Sequence, residues 1–212
     1  MTPADPPELD PTLLGLRRTP TQARSREKVQ RALVAAERLI EREGVGALTL
    51  PRVAEEAGIS VGALYQFLPD RDAVVAALTA LYHQRHEANM DHLMSTIDVT
   101  SADDPVAAII LGVADVYREQ RHTRVLRSEL QAATDPAMTR GHKLRQVAKI
   151  TGLLESVGIA TGDQAALVAR TIFFAADGVM HEAFAESDDG NRDLLGELVT
   201  MVRAYLATHE TQ

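Results

Sequence analysis

Apolar residues recur at intervals of three and four along most of this chain, which is the spacing of one face of an α-helix. In one long segment the stripe is formed by Val29, Leu33, Ala36, Leu39 and Ile40, with charged residues between them. We find no run of alternating β-branched residues bounded by turn signals, which is the pattern that predicts strands. The pattern therefore predicts an all-α protein.

Caps and helix breakers divide this pattern into about nine helices. Gly44 follows the first helix, Gly58 separates two short helices, and Asp104 followed by Pro105 begins a later one. The predicted helices cover residues 22–43, 49–57, 61–67, 71–94, 105–120, 122–133, 136–156, 163–185 and 191–208. Five prolines within the first 20 residues predict a flexible arm there, because proline disrupts a helix interior.

The two short helices around Gly58 have the dimensions of a helix-turn-helix, the motif whose second helix enters the major groove of DNA. Small or branched residues at Val53, Ala54 and Leu64 allow two such helices to cross closely. Other helical proteins also contain short helices joined by a glycine turn. The spacing alone therefore does not decide between DNA binding and a packing role.

A longer stretch of sequence around this motif favours DNA binding. The run LTLPRVAEEAGISVGALYQFLPDRDAVVAAL follows a helix that ends in AAERLIEREG, and it resembles the N-terminal signature of TetR/AcrR-family transcriptional repressors. The match covers about residues 22–80 and keeps AGIS, GALY, Pro69-Asp70 and Arg71-Asp72 in order. The resemblance implies a homodimer whose N-terminal helices bind palindromic double-stranded operator DNA and whose C-terminal helices enclose a small-molecule pocket.

The resemblance also implies phosphate contacts by Tyr65 and Arg71. A tyrosine hydroxyl can donate to a phosphate oxygen, and a helix N-terminus adds its dipole to the charge of the arginine. Gln66 suits adenine and Arg52 suits guanine, because both side chains can make bidentate hydrogen bonds to base edges. We expect the outer face of the second helix to carry Val61, Gly62, Ala63, Gln66 and Phe67. The full predicted DNA-binding set is Thr49, Arg52, Ser60, Val61, Gly62, Ala63, Tyr65, Gln66, Phe67 and Arg71.

The charge of the chain changes along its length. The formal net charge is −8, which does not indicate a polyanion partner, so any DNA contact requires a local basic patch. The stretch from Leu16 to Arg31 holds six basic residues and one acid. We expect its arginines to contribute to DNA affinity and salt dependence; the alternative is a solvated tail. These arginines are Arg17, Arg18, Arg24 and Arg26.

Enzymatic and metal chemistry have little support in the sequence. The chain has no cysteine, and we find no HExxH, GxSxG, glycine-rich phosphate loop or calcium loop. His83 and Glu87 have i, i+4 spacing, but His86 does not share their face well. We therefore expect no catalytic residue, metal site or cofactor. The lack of cysteine and of a long apolar run favours a cytoplasmic protein that does not enter a membrane.

The C-terminal region is expected to bind a ligand and to form the dimer. Polar residues within its apolar pattern can orient a small molecule, although each has an alternative salt-bridge or surface role. The predicted ligand set is Tyr117, Arg121, Arg127, His142, Phe173 and Asp177. The last two helices are apolar over much of their circumference, which predicts a homodimer through them.

The predicted organisation is an arm over residues 1–20, a three-helix DNA-binding domain over 21–70, and a larger helical ligand-binding and dimerisation domain over 71–212. The predicted function is a sequence-specific transcriptional regulator, in the form of a repressor that a small-molecule effector releases from its operator. The alternative is a helical small-molecule binding protein or enzyme in which the helix-turn-helix is only structural.

Overall fold

A computed structural model describes residues 14–99, 101–119, 124–185 and 187–209. Within residues 124–133 it describes the side chains of Leu126, Glu129, Leu130, Ala132 and Ala133. The described ranges hold nine α-helices, a short 3-10 turn over Val45–Ala47, and no strand. The helices are α1 (Ala23–Glu43), α2 (Leu50–Ala57), α3 (Val61–Tyr65), α4 (Arg71–Thr96), α5 (Pro105–Glu119), α6 (Arg124–Ala133), α7 (Pro136–Ser156), α8 (Gly162–Ala183) and α9 (Arg192–Ala207). The prediction of an all-α protein is confirmed.

Side-chain caps set the starts of several helices. The Asp70 carboxylate accepts a hydrogen bond from the N–H of Ala73 across 2.7 Å, and the Asp104 carboxylate accepts one from Ala107 across 3.0 Å. Each cap satisfies an N–H that has no partner inside its own helix. These local interactions explain why α4 and α5 begin where the sequence predicts.

The described residues up to Ala88 form one compact unit with those between His122 and Thr139. Its core joins the buried stripe of α1 to the inner faces of α2 and α3 and to the first turns of α4. The stripe includes Leu33 and Ile40, whose side chains are completely buried. Burial of such residues stabilises the fold by about 1.5–3 kcal/mol each.

Helix α6 belongs to this first unit although it follows α5 in the chain. Leu126 and Leu130 are each 2% exposed and lie in the same core as α1. The Glu129 carboxylate accepts a hydrogen bond from the backbone N–H of Val45 across 2.9 Å. The compact units therefore do not follow the predicted division after residue 70, and that functional division stays a prediction.

The described residues between Asn89 and Arg121, together with those from Arg140 onward, form the second unit. One of its hydrophobic clusters joins α5, α8 and α9 and includes Ile110, Met180 and Leu198. A second cluster joins α7 to α8 and includes Val147, Leu154, Val168 and Ala169.

Candidate nucleic-acid interface and effector site

The turn between α2 and α3 has the geometry of a helix-turn-helix. Gly58 takes the left-handed conformation with φ of 61° and ψ of 41°, which a residue without a Cβ adopts at little cost. The N–H of Ile59 then donates to the carbonyl of Ala54 across 3.0 Å. The guanidinium of Arg31 on α1 donates to the carbonyl of Gly58 across 2.8 Å. The turn is therefore fixed by its own backbone and by α1.

Helix α3 presents an open outer face. Leu64 is buried in the core, whereas the next residue, Tyr65, is 47% exposed. A Cβ built on Gly62 would meet no atom within 4 Å, so a partner can approach the backbone closely there. The predicted contact residues that are exposed or partly exposed are Ser60, Val61, Gly62, Ala63, Tyr65 and Gln66. Ser60 also caps α3, since its hydroxyl oxygen accepts a hydrogen bond from the N–H of Ala63.

Phe67 does not belong to this face. It is 7% exposed and lies in the core of the first unit, so the prediction that it points outward is wrong. Helix α3 ends at Tyr65 instead of continuing to residue 67. The N–H of Phe67 donates to the carbonyl of Leu64 across 3.0 Å, and the chain turns there. Because Phe67 lies beyond the end of α3, the helical spacing that predicts an outward side chain does not apply to it.

Three further predicted DNA contacts lie outside α3. Thr49 is exposed at the start of α2 and makes no capping hydrogen bond with its side chain. Arg52 donates to the carboxylate of Glu43 across 2.6 Å. Arg71 donates to the carbonyl of Val45 across 3.2 Å. Both arginines are thus held by other parts of the first unit.

Two ion pairs connect the end of α1 to α2. One is the Arg52–Glu43 pair, and in the other Arg42 donates to both carboxylate oxygens of Glu56 across 3.1 and 3.0 Å. The hydrogen bond from Arg52 lowers the pKa of Glu43, and the hydrogen bond from Arg42 lowers the pKa of Glu56. Both carboxylates are therefore ionised at neutral pH and balance two arginines near the helix-turn-helix.

The described end of the N-terminal arm lies against α3. Residues 1–13 of the predicted arm are outside the described range, but Leu14 is 2% exposed and belongs to the core of the first unit. The proline content assigns residues 14–20 to a flexible arm, whereas here they have defined contacts. An open recess of about 480 Å³ is lined by Arg17, Arg18, Gly62, Tyr65 and Gln66.

The predicted ligand residues that the structure describes lie within the second unit. Arg121 and the side chain of Arg127 are outside the described range. The ring of Tyr117 packs against Phe184, with centroids 5.4 Å apart. Phe173 is partly buried in the cluster between α7 and α8. These aromatic residues contribute to the packing of the unit, and a ligand role for them stays a prediction.

Asp177 is engaged by Lys143 and lies beside His181. Its carboxylate accepts a hydrogen bond from Lys143 on α7 across 2.7 Å. Its other oxygen lies 3.5 Å from Nδ1 of His181, one turn further along α8. Asp177 therefore joins α7 to α8 already, and a ligand that uses its carboxylate must compete with Lys143.

Gln146 is a buried polar residue that the sequence reasoning missed. It is 7% exposed, and its side-chain nitrogen has no acceptor within the described part of the chain. His142, which is 8% exposed, precedes it by four residues and so lies on the same face of α7. An unpaired buried donor costs about 1–3 kcal/mol. The four-residue spacing of His142 and Gln146 is visible in the sequence, but spacing alone does not show that Gln146 is buried.

Neither a metal cluster nor a membrane-spanning segment is found in the described ranges. No group of three or more His, Cys, Asp or Glu residues is arranged there to hold a metal ion. None of the helices described is both long enough and apolar enough to cross a membrane.

The chain matches two protein-family models, one before residue 80 and one after residue 100. Residues 32–78 match the model of bacterial regulatory proteins of the tetR family, and residues 101–206 match the tetracyclin repressor-like C-terminal domain. The second match spans half of the chain. The protein belongs to the tetR family. This confirms the resemblance on which the helix-turn-helix prediction depends, and it makes this chain a relative of regulatory proteins, which are generally not enzymes.

Two curated tetR-family relatives come from Pseudomonas putida. The HTH-type transcriptional regulator TtgR is 31% identical over 99 residues, which is 47% of this chain and 45% of TtgR. The probable HTH-type transcriptional regulator ArpR matches with the same identity and coverage. The match thus spans less than half the length of either relative.

Solved structures share the tetR-family fold over most of the chain. A TetR-family transcriptional regulator from Streptomyces coelicolor aligns with a TM-score of 0.59 and 23% identity, covering 86% of this chain and 99% of the regulator. The SmeT–triclosan complex aligns with a TM-score of 0.59 and 21% identity, covering 87% of this chain and 92% of SmeT. SmeT is the repressor of a multidrug efflux pump of Stenotrophomonas maltophilia.

Proposed function

We propose that this protein is a dimeric transcriptional repressor that binds operator DNA with α3 and leaves it when a small molecule binds the second unit. The observation that carries the DNA-binding part is the open face of α3, where Gly62 and Tyr65 are exposed on a helix held by a fixed turn and the next residue, Gln66, is exposed as well. A helix-turn-helix that only supported the fold would not require an exposed aromatic residue at this position.

The exposed groups of α3 and of its two capping residues each suit a particular part of a DNA duplex. The hydroxyl of Tyr65 donates to a phosphate oxygen and fixes the position of the helix. Gln66 reads the edge of an adenine, and Val61 and Ala63 contact thymine methyl groups. Gly62 lets the helix backbone come close to the bases. Ser60 is placed at the start of the helix, where its cap orients the first turn.

The residues outside α3 support this contact from the sides. Thr49 and Arg71 bind phosphate oxygens, and the N-terminus of α4 strengthens the contact of Arg71. Arg52 reaches a guanine or a phosphate after it exchanges its carboxylate partner Glu43. These contacts with the backbone of DNA add affinity without sequence information.

The second unit offers an apolar surface for a second copy of the chain. Leu167 is 63% exposed and Phe174 is 41% exposed on α8, and Met201 is 43% exposed on α9. A Cβ built on Gly178 or Gly196 meets nothing within 4 Å beyond the local backbone of its own helix, so helices of two copies can approach closely. A twofold dimer through α8 and α9 presents two copies of α3 to a palindromic operator.

We place the effector contact at α7, where a ligand acceptor satisfies the amide of Gln146. A carbonyl or hydroxyl oxygen provides the partner that this buried donor lacks. His142 lines the same face, and Tyr117, Phe173 and Asp177 contribute more distant aromatic and acidic contacts. The effector releases DNA to the extent that it binds the released conformation more tightly than the DNA-bound one. The protein acts in the cytoplasm, where bacterial DNA is found.

The DNA-binding proposal is tested by selecting duplexes from a random library with the full-length protein and titrating the selected duplex at several salt concentrations. We expect tight binding that survives random competitor DNA and weakens steeply as salt rises. Tyr65→Phe should weaken the selected and the random duplex by a similar factor. Gln66→Ala should weaken the selected duplex more. Failure to select any duplex contradicts the proposal.

The effector proposal is tested with the selected duplex already bound. Triclosan is a first probe, because SmeT forms a complex with it, and a wider library of neutral small molecules with an oxygen acceptor follows. A ligand that releases DNA from the wild type should release it poorly from the Gln146→Leu variant. Equal release from both proteins contradicts the role of Gln146.

A further inference from the structure

The last residues of the N-terminal arm are attached to the first unit by side-chain burial and by a backbone hydrogen bond. Leu14 is 2% exposed and contributes to the core formed by α1, α2 and α3. The backbone N–H of Arg17 donates to the carbonyl of Phe67 across 3.0 Å. Phe67 lies two residues beyond the end of α3, so this hydrogen bond fixes the arm beside the helix.

The attachment places two cations next to the face of α3 that is proposed to enter DNA. Arg17 and Arg18 are exposed and line one recess with Gly62, Tyr65 and Gln66. The five lining residues include two positive charges and no acid. In a chain with a net charge of −8, such a pair next to an open helix face provides local attraction for a polyanion.

We propose that Arg17 and Arg18 form an anchored phosphate clamp, which binds the DNA strand beside the groove that α3 enters. This inference rests on the proposed function and adds a second DNA-contacting element outside the helix-turn-helix. Phosphate is the partner that fits, because guanidinium groups bind phosphate oxygens in a bidentate manner. Tyr65, the proposed phosphate ligand of α3, lines the same recess, so the three side chains face the same strand.

The anchoring distinguishes this clamp from a flexible basic tail. A flexible tail loses conformational entropy when it binds DNA, whereas a segment that is already held in place loses less. The clamp therefore depends on the contacts of Leu14 and Arg17 with the first unit, in addition to its charge.

The test compares two variants that remove the same charge. Arg17→Gln/Arg18→Gln removes the clamp, and Arg140→Gln/Arg192→Gln removes two exposed arginines of the second unit. Binding of each full-length protein to a selected duplex and to a random duplex is measured over a series of salt concentrations. We expect the clamp variant to bind both duplexes about tenfold more weakly, with a salt slope that is shallower by about two, since each phosphate contact contributes about 0.9. The control variant should keep the wild-type slope.

A second variant tests the anchoring with the charge unchanged. Leu14→Ala keeps both arginines but weakens the attachment of the arm, so DNA affinity should fall by about threefold or more, while thermal unfolding confirms that the protein is folded. Unchanged affinity in this variant overturns the anchored geometry. If the clamp and control variants have equal salt slopes of DNA binding, the clamp is overturned. In that case, wild-type binding to the selected duplex still supports the proposed function. If the wild type binds no duplex, both proposals are wrong.

Discussion

Arg52 and Glu43 are joined by a hydrogen bond of 2.6 Å between Nη2 and Oε1, and Arg52 donates a second hydrogen bond to the carbonyl of Ala47. This pairing places an acid next to a residue that is proposed to contact DNA. Arg52 reaches DNA only if it exchanges the Glu43 carboxylate for a base edge or a phosphate. In the proposed interface, Glu43 therefore competes with DNA for Arg52.

Glu43→Gln should tighten DNA binding. The amide releases Arg52 and removes a negative charge beside the interface, so we expect an increase of roughly threefold in affinity at low salt, with a smaller gain at high salt. A duplex titration measures the change. Glu41→Gln, which removes the same charge from an exposed position on α1, is the control. If the two variants behave alike, Arg52 does not reach DNA.

The ion pairs of Glu43 and Glu56 should make stability depend on acid pH. Arginine hydrogen bonds lower both pKa values below the ordinary 4.5 in the folded protein. Between the folded pKa and pH 4.5, the unfolded chain therefore binds more protons than the folded one. The stabilisation is present above pH 4.5 and is lost as the pH falls through the folded pKa. Urea midpoints measured over a pH series should decrease less steeply in Glu43→Gln/Glu56→Gln than in the wild type.

Glu37 has an effect of opposite sign, and it acts above pH 4.5. Its burial raises its pKa, while Arg85 partly opposes the shift, so its contribution to stability decreases as the pH rises from 4.5 to the folded pKa. Glu37 is present in both proteins and does not change the difference between them. Parallel pH profiles of the wild type and the double variant would contradict the prediction.

Gly62→Ala should separate folding from DNA binding. Space around Gly62 is open, and alanine favours a helix over glycine, so the free energy of unfolding should rise by about 0.5–1 kcal/mol. The added methyl group stands on the face that is proposed to approach the bases, so DNA affinity should fall. Gly152→Ala on α7, where a Cβ also meets no atom within 4 Å, should give a similar gain in stability with unchanged DNA binding. Tighter DNA binding by Gly62→Ala is the result that contradicts the proposed interface.

Leu167→Glu should weaken the dimer. A charge on this 63% exposed position would be buried without a partner between two copies, so we expect the dimer dissociation constant to rise about tenfold or more. Sedimentation velocity over a range of protein concentrations measures it. Leu144→Glu places the same charge at a leucine of α7 that is 42% exposed. A dimer that is equally weakened by both changes does not form through α8.

Gln146→Leu should stabilise the protein in the absence of ligand. Leucine removes an amide donor that has no acceptor in the described structure, so the free energy of unfolding should rise by about 1 kcal/mol. Chemical denaturation measures the difference. Gln30→Leu changes an exposed glutamine of α1 and should leave stability nearly unchanged. Destabilisation by Gln146→Leu would indicate that the amide already has a partner.

Helix positions and the turn could be predicted because their signals are local. The left-handed Gly58 and the caps by Asp70 and Asp104 depend on residues within a few positions of each other. Phe67 shows where this fails: the end of α3 lies two residues earlier than its apolar pattern suggests, so a predicted surface residue is part of the core.

The remaining features depend on contacts between distant segments. The helical spacing of Leu126 and Leu130 indicates a buried face, but not that α6 completes the core around α1. Proline content predicts a flexible arm, whereas the buried side chain of Leu14 and the hydrogen bond from Arg17 to Phe67 attach it to the first unit. The side-chain nitrogen of Gln146 becomes buried without an acceptor only when α7 packs in the folded chain, so its sequence neighbours do not reveal this.

The first compact unit is discontinuous along the chain. It includes the described residues up to Ala88 and then those between His122 and Thr139, so the polypeptide enters it a second time after α5. A chimera that joined the first 88 residues to the ligand-binding part of another family member would lose Leu126 and Leu130 from the core and Glu129 from the turn after α1. A chimera that keeps the core of the first unit therefore has to retain α6 together with the residues up to Ala88.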